Sequence, residues 1–344
     1  MALAVGATGA LAGCLDGGAP TDADGTDRGP PPADGSRHVA YDPDRLREDV
    51  VSGGPDKDGI PSIDEPSFVD ASAVSFLRAD HVVIGVVRDG TATAYPRPIL
   101  VHHEVVNHRL DGVPVSVTYC PLTGTVMGFE RGDTTFGVSG NLVNNNLVMY
   151  DRATDSRWPQ VLATAISGPL AGRTLREFDL VWTTWGRWRN RHPDTRVLSR
   201  DTGYVRNYGV DPYGSYGPKR GYYGQDYTMF PALGDDDRLA AKDVVVGVRT
   251  ARGAAAVEHS RLRQRGLADL SVGGRRIVVV HDPALDTAYG YAVPEGATVT
   301  AGSDGVVVDG VRRPPAALPL DRVPAVEAMW FAWAGFYPGT ALHA

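Results

Sequence analysis

The chain has almost no cysteine and almost no lysine. Its two cysteines are Cys14 and Cys120, so the folded part contains no intramolecular disulfide if Cys14 is modified. Only three of its 34 Lys and Arg residues are lysine, at Lys57, Lys219 and Lys242. No block of basic residues stands out and the net charge is -7, which argues against a nucleic acid as partner.

Several common catalytic motifs are also missing. The chain contains no phosphate-binding glycine loop, no Gly-x-Ser-x-Gly nucleophile elbow and no His-Glu-x-x-His zinc helix. With 42% hydrophobic residues it still has ample material for a buried core. Asp and Arg in place of Glu and Lys, with an acidic excess, favour a salt-adapted haloarchaeal source.

Residues 1–14 resemble the export signal of a lipoprotein. An uncharged apolar run ends in Leu11-Ala12-Gly13-Cys14, a pattern in which the cysteine becomes the lipidated N-terminus. The run is too short to cross a hydrocarbon layer of ~30 Å as a helix. Export signals normally begin with positive charge, which is missing here, so we expect the natural start to lie further upstream. The segment predicts lipidation at Cys14 and a position on the extracytoplasmic face of the cell membrane.

The rest of the chain divides into four predicted parts. Residues 15–53 are rich in Gly, Pro and Asp and are predicted to form a disordered tether. Residues 54–203 and 241–344 are predicted to be two copies of one unit, the second shortened. A loop over 204–240, rich in tyrosine, is predicted to connect them.

The predicted duplication depends on two blocks that recur in the same order. Residues 82–86 (VVIGV) recur as residues 244–248 (VVVGV), and the Trp-x-x-Trp that begins at Trp185 recurs at Trp330. Because self-similarity of this kind indicates repeated structural units, we expect an internal duplication.

Local patterns predict an α+β fold made of these two diverged repeats. Valine-rich runs broken by Asp-Gly at 89–90 and 111–112 predict antiparallel strands and hairpin turns. Helical spacing of apolar residues predicts a short helix within 98–110. Each unit is therefore predicted to be a small, mainly antiparallel sheet closed by a short helix that contains the two tryptophans.

Ordered motifs over residues 54–342 resemble the domain-of-unknown-function family 3179. They are Tyr95-Pro96, His103-Glu104-x-Val-Asn107, Tyr119-Cys120-Pro121-Leu122, Phe136-Gly137-Val138-Ser139-Gly140, residues 146–151 and residues 192–199. The resemblance implies an exported protein of bacteria or archaea and no established activity. Family members often carry Cys-Pro-Leu-Cys, but this chain has Thr123 in the fourth place, which excludes a Cys-x-x-Cys redox pair.

The strongest cluster of chemically reactive residues surrounds Cys120. A thiolate and an imidazole are ligands for zinc or copper, so His103 and Cys120 are predicted metal ligands. Alternatively, Cys120 acts as a nucleophile with His103 and Glu104 in a catalytic group. A third alternative is an inert buried thiol. The second copy lacks these residues, so any site is expected in the first copy, with the second as a packing partner.

The leading functional prediction is a ligand-binding cleft in the first copy, walled by the tyrosine-rich loop. The residues predicted to contact the ligand are Tyr95, Asn107, Asn144, Asn145, Asn146, Asp151 and Trp158. The adjacent asparagines equally suit turns with positive φ. The sequence thus predicts a membrane-anchored binding or accessory protein, with an enzyme and a metal-handling protein as alternatives. Its expected partners are the membrane, through the lipid anchor, and a small molecule or protein.

Overall fold

Antiparallel strands make up most of the fold. The computed structural model describes residues 28–216, 218–302 and 305–343. Strands account for 41% of the structure and helices for 13%, which is consistent with the α+β class. The predicted signal and its Cys14 lie outside the described residues. Among the described helices, none is long and apolar enough to cross a membrane.

The elements are numbered in chain order. The first part of the chain contains α1 (Pro43–Glu48), β1 (Val51–Ser52), β2 (Phe68–Asp70), β3 (Val82–Arg88), β4 (Thr91–Pro96), α2 (Arg97–Leu100), β5 (Val105–Leu110), β6 (Val113–Cys120), β7 (Thr125–Glu130), β8 (Phe136–Val143), β9 (Asn146–Asp151), β10 (Arg157–Pro159), β11 (Glu177–Phe178), β12 (Val181–Thr184), α3 (Trp185–Arg191) and β13 (Arg196–Leu198). The connecting loop carries β14 (Gly214–Tyr216) and β15 (Lys219–Gly221). The last part contains β16 (Val244–Arg249), β17 (Ala254–Glu258), α4 (His259–Arg265), β18 (Leu267–Val272), β19 (Arg275–Asp282), β20 (Thr287–Ala292), β21 (Val299–Gly302), β22 (Gly305–Val308), β23 (Val311–Arg313), β24 (Arg322–Val323), β25 (Ala325–Met329), α5 (Trp330–Phe336) and β26 (Ala341–His343).

Each unit contains two larger sheets of similar strand order. The first unit has the sheets β12-β3-β4-β13-β2 and β11-β7-β6-β5, and the second has β25-β16-β17-β26 and β18-β19-β20-β24. Paired strands run antiparallel except β4 with β13 and β17 with β26, which are parallel. The first unit adds the sheet β1-β8-β9-β10, whereas the second adds the three short strands β21-β22-β23.

The two tryptophan helices occupy matching places in these sheets. Helix α3 follows β12 and α5 follows β25, so each helix leaves an edge strand. Trp188 covers Gly85 of β3, and Trp333 covers Gly247 of β16, so closely that a Cβ at either glycine would overlap the indole ring. The predicted tryptophan helices are therefore confirmed, and each requires a glycine in the strand beneath it.

The hydrophobic core joins the two units. Trp185 and Trp188 of the first unit share one apolar cluster with Val278 and Tyr289 of the second. Trp330 and Trp333 of the second unit share another cluster with Trp158 and many strand residues of the first. Each tryptophan helix thus completes a core to which the other unit contributes.

The hairpin turns form where the Asp-Gly pairs predict them. Asp89 and Gly90 have φ values of 45° and 85°, and Asp111 and Gly112 have 48° and 82°. Two consecutive residues with positive φ make the turn whose twist matches that of the flanking strands.

The predicted helix over 98–110 is mostly wrong. Only Arg97–Leu100 is helical, and residues 105–110 form β5, paired along its length with β6. The β-branched Val105 and Val106 are both fully buried in this strand, where their stiff side chains pack well. Residues in this stretch therefore alternate between faces and do not follow a helical stripe.

The predicted disordered tether is wrong for the described residues 28–53. Residues 43–48 form α1, whose Leu46 is fully buried, and β1 pairs with β8 through Val51 and Leu142. The segment is ordered because these few apolar side chains find places on the first unit, although its overall composition is polar.

Candidate functional site

The predicted group of Cys120, His103 and Glu104 is only partly assembled. Cys120 ends β6 and is 1% exposed; its thiol donates to the carbonyl of Asn145 at 3.5 Å and accepts from the N–H of Leu147 at 3.4 Å. Burial, and next the nearby charge of Glu104, raises the pKa of the thiol to about 11. A neutral thiol is a poor nucleophile and metal ligand, so the geometry favours the inert-thiol alternative.

His103 belongs to a separate hydrogen-bond network. Its Nδ1–H donates to the carbonyl of Pro61 at 2.8 Å, which leaves Nε2 to accept from the hydroxyl of Tyr208 at 2.7 Å. Burial lowers the pKa of His103 to about 4, so the ring is neutral. Among the described residues, no group of three metal-donor side chains includes His103 or Cys120. No third donor side chain among the described residues therefore joins His103 and Cys120, and metal binding by this pair stays a prediction.

Glu104 faces a cavity in the first unit. We call this the Glu104 cavity; it has a volume of about 110 Å³. Its lining residues are Gly53, Pro55, Ile60, Glu104, Leu122, Val138, Gly140, Asn141, Leu142, Leu147, Tyr213, Met229 and Phe230. Tyr213, Met229 and Phe230 come from the connecting loop, so this cavity has the predicted position of the cleft.

The Glu104 carboxyl is the only ionisable carboxyl in that lining. The residue is 6% exposed, and its carboxyl makes no hydrogen bond with any other described residue. Burial raises its pKa to about 8, so the group is largely protonated at neutral pH. A buried carboxylic acid without a partner loses free energy that a bound polar group would restore.

Asn144 and Asn145 form a turn and tie the connecting loop to the first unit. Their φ values are 53° and 58°, which gives the two-residue hairpin between β8 and β9. The Asn144 amide donates to the carbonyl of Ala332 at 2.9 Å, and the Asn145 amide donates to that of Phe230 at 2.9 Å. The turn alternative therefore fits these residues better than ligand contact.

Asn146 and Asn107 are also engaged inside the protein. The Asn146 amide donates to Oε1 of Gln160 at 3.0 Å and accepts from the N–H of Val161 at 2.9 Å. Asn107 donates to the carbonyl of Phe136 at 2.8 Å and accepts from its N–H at 3.0 Å. Both amides hold neighbouring strands and loops in place.

Of the remaining predicted ligand residues, Asp151 and Trp158 pair with each other, and Tyr95 pairs with the half-buried His108. The carboxylate of Asp151 accepts from Nε1–H of Trp158 at 3.0 Å, and both residues are fully buried. The hydroxyl of Tyr95 lies 2.8 Å from Nδ1 of His108. These pairs lie away from the Glu104 cavity lining, so the structure does not bring the predicted set together.

The tyrosine-rich loop turns largely inward. Tyr208, Tyr222 and Tyr223 are buried, whereas Tyr204 is 44% and Tyr227 is 60% exposed. The hydroxyl of Tyr222 donates to the carbonyl of Leu122 at 2.8 Å. Most of the loop therefore serves as a wall of the first unit, with only its exposed tyrosines available for outside contacts.

A second cavity lies at the seam between the two units. We call it the seam cavity; its volume is about 200 Å³. Its lining comes from both units: Val82, Gly124, Trp182, Thr183, Thr184, Tyr216, Val244, His259, Arg263, Asp286, Glu327 and Met329. Three of its buried polar atoms have no hydrogen-bond partner: Nε2 of His259, Oε1 of Glu327 and the hydroxyl oxygen of Tyr216.

Three donor side chains converge beside the seam cavity. His259 begins α4, His281 lies near the end of β19, and Asp286 lies in the turn that leads to β20. Their donor atoms all lie within 4.8 Å of one another. Nε2 of His281 is 3.0 Å from Oδ1 of Asp286, whose Oδ2 accepts from Arg263 at 2.7 Å.

The sequence analysis missed this second group because it placed any site in the first unit. The residues are far apart along the chain and match no motif of fixed spacing. One signal was present: His281 stands where the first copy has Tyr119 in the predicted alignment. In that alignment the second copy has a histidine where the first has none, which indicates a change of chemistry at this position.

One comparison with known proteins identifies a family. The model of the family described as protein of unknown function (DUF3179) matches residues 57–340. No curated protein and no solved structure matches the chain. Because the match covers most of the chain, the protein belongs to the DUF3179 family.

Proposed function

We propose that this protein is a membrane-anchored, extracytoplasmic binding protein whose small ligand occupies the Glu104 cavity. One observation carries the proposal: a buried, unpartnered carboxyl group faces a cavity of about 110 Å³. One water needs roughly 10–15 Å³ measured in this way. The cavity therefore has room for several waters or an organic molecule of a few heavy atoms.

The chemistry of the lining limits the ligand. Apart from Glu104, the walls are mainly aliphatic and aromatic, with Asn141 and Tyr213 as further polar side chains. Such a pocket favours a small apolar body with a single polar group. A cationic amine fits best, because its charge would stabilise the ionised Glu104 carboxylate, which has no other partner.

The test uses n-butylamine and its neutral analogue n-butanol as probes. We expect calorimetry to detect butylammonium binding to the wild type and a loss in both Glu104→Gln and Glu104→Leu. Binding of n-butanol that survives Glu104→Gln but not Glu104→Leu would instead assign a neutral ligand. If neither probe binds, or if binding is the same in Glu104→Leu, the proposal is wrong.

The anchor is part of the same proposal and rests on the lipobox-like Leu11-Ala12-Gly13-Cys14. Lipid attachment at Cys14 would hold the folded part at the outer surface of the membrane. In the native host, we expect the wild type to sediment with membranes and Cys14→Ser to be released in soluble form. Equal membrane fractions for the two proteins would contradict the anchor.

We further propose that the two units arose by duplication and then divided their roles. The matching strand orders and the matching Trp188–Gly85 and Trp333–Gly247 contacts support this origin. In this view the first unit keeps the ligand cavity, and the second keeps the scaffold and has acquired its own histidines.

A further inference from the structure

We infer that His259, His281 and Asp286 form a binding site for a divalent transition metal of the zinc type. The site is separate from the Glu104 cavity and stands independently of the function proposed for that cavity. Two imidazoles and one carboxylate are a donor set that zinc accepts readily.

The distances suit a metal site. Bonds of ~2.1 Å to zinc hold the ligand atoms roughly 3–4 Å from one another. Nε2 of His281 and Oδ1 of Asp286 are 3.0 Å apart, and all three donor atoms lie within 4.8 Å.

The surroundings of His259 supply a second, independent observation. Its Nε2 is buried and has no hydrogen-bond partner, while Nδ1 lies 3.7 Å from Oε2 of Glu327. Histidine ligands commonly direct one ring nitrogen to the metal and the other to a carboxylate behind it. The Glu327 carboxyl lies on the Nδ1 side of the His259 ring, 3.7 Å away and beyond hydrogen-bond distance. An ion bound at Nε2 would supply the missing partner of that nitrogen.

Asp286 is held in position from the other side. Its Oδ2 accepts from Arg263 at 2.7 Å, which leaves Oδ1 directed to His281. The arginine fixes the carboxylate, and it also partly offsets the attraction of Asp286 for a cation.

The site has an entrance and an open coordination position. The Asp286 side chain is 27% exposed, so an ion can reach it from solvent. His259 and Asp286 also line the seam cavity of about 200 Å³. Three protein ligands beside a cavity resemble a zinc site that keeps a water or small anion in its fourth position, which a closed structural site does not.

The test measures zinc uptake by full-length protein purified without a histidine tag and stripped of metal with a chelator. Titration with Zn²⁺ alone, followed by elemental analysis after dialysis, should give one tightly bound zinc per chain. His281→Ala and Asp286→Asn should abolish this binding. Glu327→Gln should weaken it by about 10–100-fold, as expected for a carboxylate behind a ligand.

His102→Ala is the matched control, because His102 is a half-buried histidine that lines neither cavity. It should bind zinc as the wild type does. Circular dichroism and the urea midpoint of each metal-free variant establish that it is folded. Cobalt(II) should give the intense visible absorption of a tetrahedral site without a thiolate charge-transfer band.

Two results would overturn the inference. The first is a folded wild type that takes up no more zinc than His281→Ala. The second is zinc binding that survives His281→Ala and Asp286→Asn but is lost in Cys120→Ser, which would assign the metal to the thiol.

Discussion

Two unfavourable features coincide at Glu104. Its φ of 59° lies in the left-handed region, which costs a non-glycine residue about 1 kcal/mol or more. Its carboxyl is also buried beside an apolar cavity without a partner among the described residues. Strain and desolvation at a single residue are typical of positions kept for function.

Stability should depend on pH through Glu104. Burial raises its pKa from 4.5 to about 8 in the folded protein, so the folded state retains a proton that the unfolded state releases. Stability is therefore highest below pH 4.5 and falls as pH rises towards 8, by up to about 1.4 kcal/mol per pH unit. Glu104→Gln should lose this dependence. Its free energy of unfolding in urea should therefore exceed that of the wild type by an amount that grows between pH 5 and pH 8.

Glu327 has the same direction of shift, since burial raises its pKa to about 8. Glu327 is present in the wild type and in Glu104→Gln, so its effect cancels in the difference between their free energies of unfolding. Asp34→Asn, at an exposed carboxylate, serves as the control and should follow the wild type. A constant difference between wild type and Glu104→Gln across this pH range would rule out a raised pKa.

At the residue level, the sequence predicts local backbone conformation correctly. It does not predict which side chains from distant parts of the chain lie together. Adjacent asparagines predict positive φ, and Asn144 and Asn145 have it. The grouping of His103 with Cys120 failed because their side chains lie in different networks. His259 and His281 come together only through the packing of α4 against the sheet, which no local pattern encodes.

At the scale of elements, the tryptophan helices depend on the glycines beneath them. A Cβ on Gly85 or Gly247 would overlap the ring of Trp188 or Trp333. Both tryptophans are fully buried, so the ring has little room to move.

Gly85→Ala and Gly247→Ala should therefore each destabilise the protein, by about 1–3 kcal/mol, the usual cost of overpacking a core. The two losses should be similar because the contacts are alike. Urea unfolding measures both. Gly234→Ala is the control, because a Cβ there meets nothing within 4 Å. A loss no larger than the control's would show that the helix can shift away.

Element prediction worked best for the strands and for the tryptophan helices. Valine-rich runs and Asp-Gly turns specify β3, β4 and β6 locally, because a turn with positive φ and β-branched strands agree. It failed for residues 105–110, where apolar spacing fits a helix and a strand equally well. Pairing with β6 decided the outcome, and pairing partners are not visible in a short window.

At the scale of the whole molecule, the two units share their cores. The cluster around Trp188 contains Val278 and Val280 from the second unit, and the cluster around Trp333 contains Trp158 and Leu147 from the first. The sequence predicts two similar units but does not predict that each unit contributes to the core of the other. That feature depends on how the units pack together, and this packing leaves no periodic signal along the chain.

Because each unit contributes to the core of the other, we expect that neither unit folds alone. Separation of residues 28–234 from residues 235–344 would expose two tryptophan helices and the sheet faces that they cover, and burial of large aromatic side chains stabilises each core by several kcal/mol. We expect each fragment alone to lack a cooperative urea transition and a near-ultraviolet circular dichroism signal. Mixing the two fragments should restore both the transition and the signal.

As a control, a protease site inserted between the exposed Gly234 and Asp235 should allow the intact protein to be cut without unfolding, because the cores remain in contact. Cooperative unfolding of an isolated fragment would mean that its core is complete without the other unit, and the shared clusters would then be an interface between two independent domains.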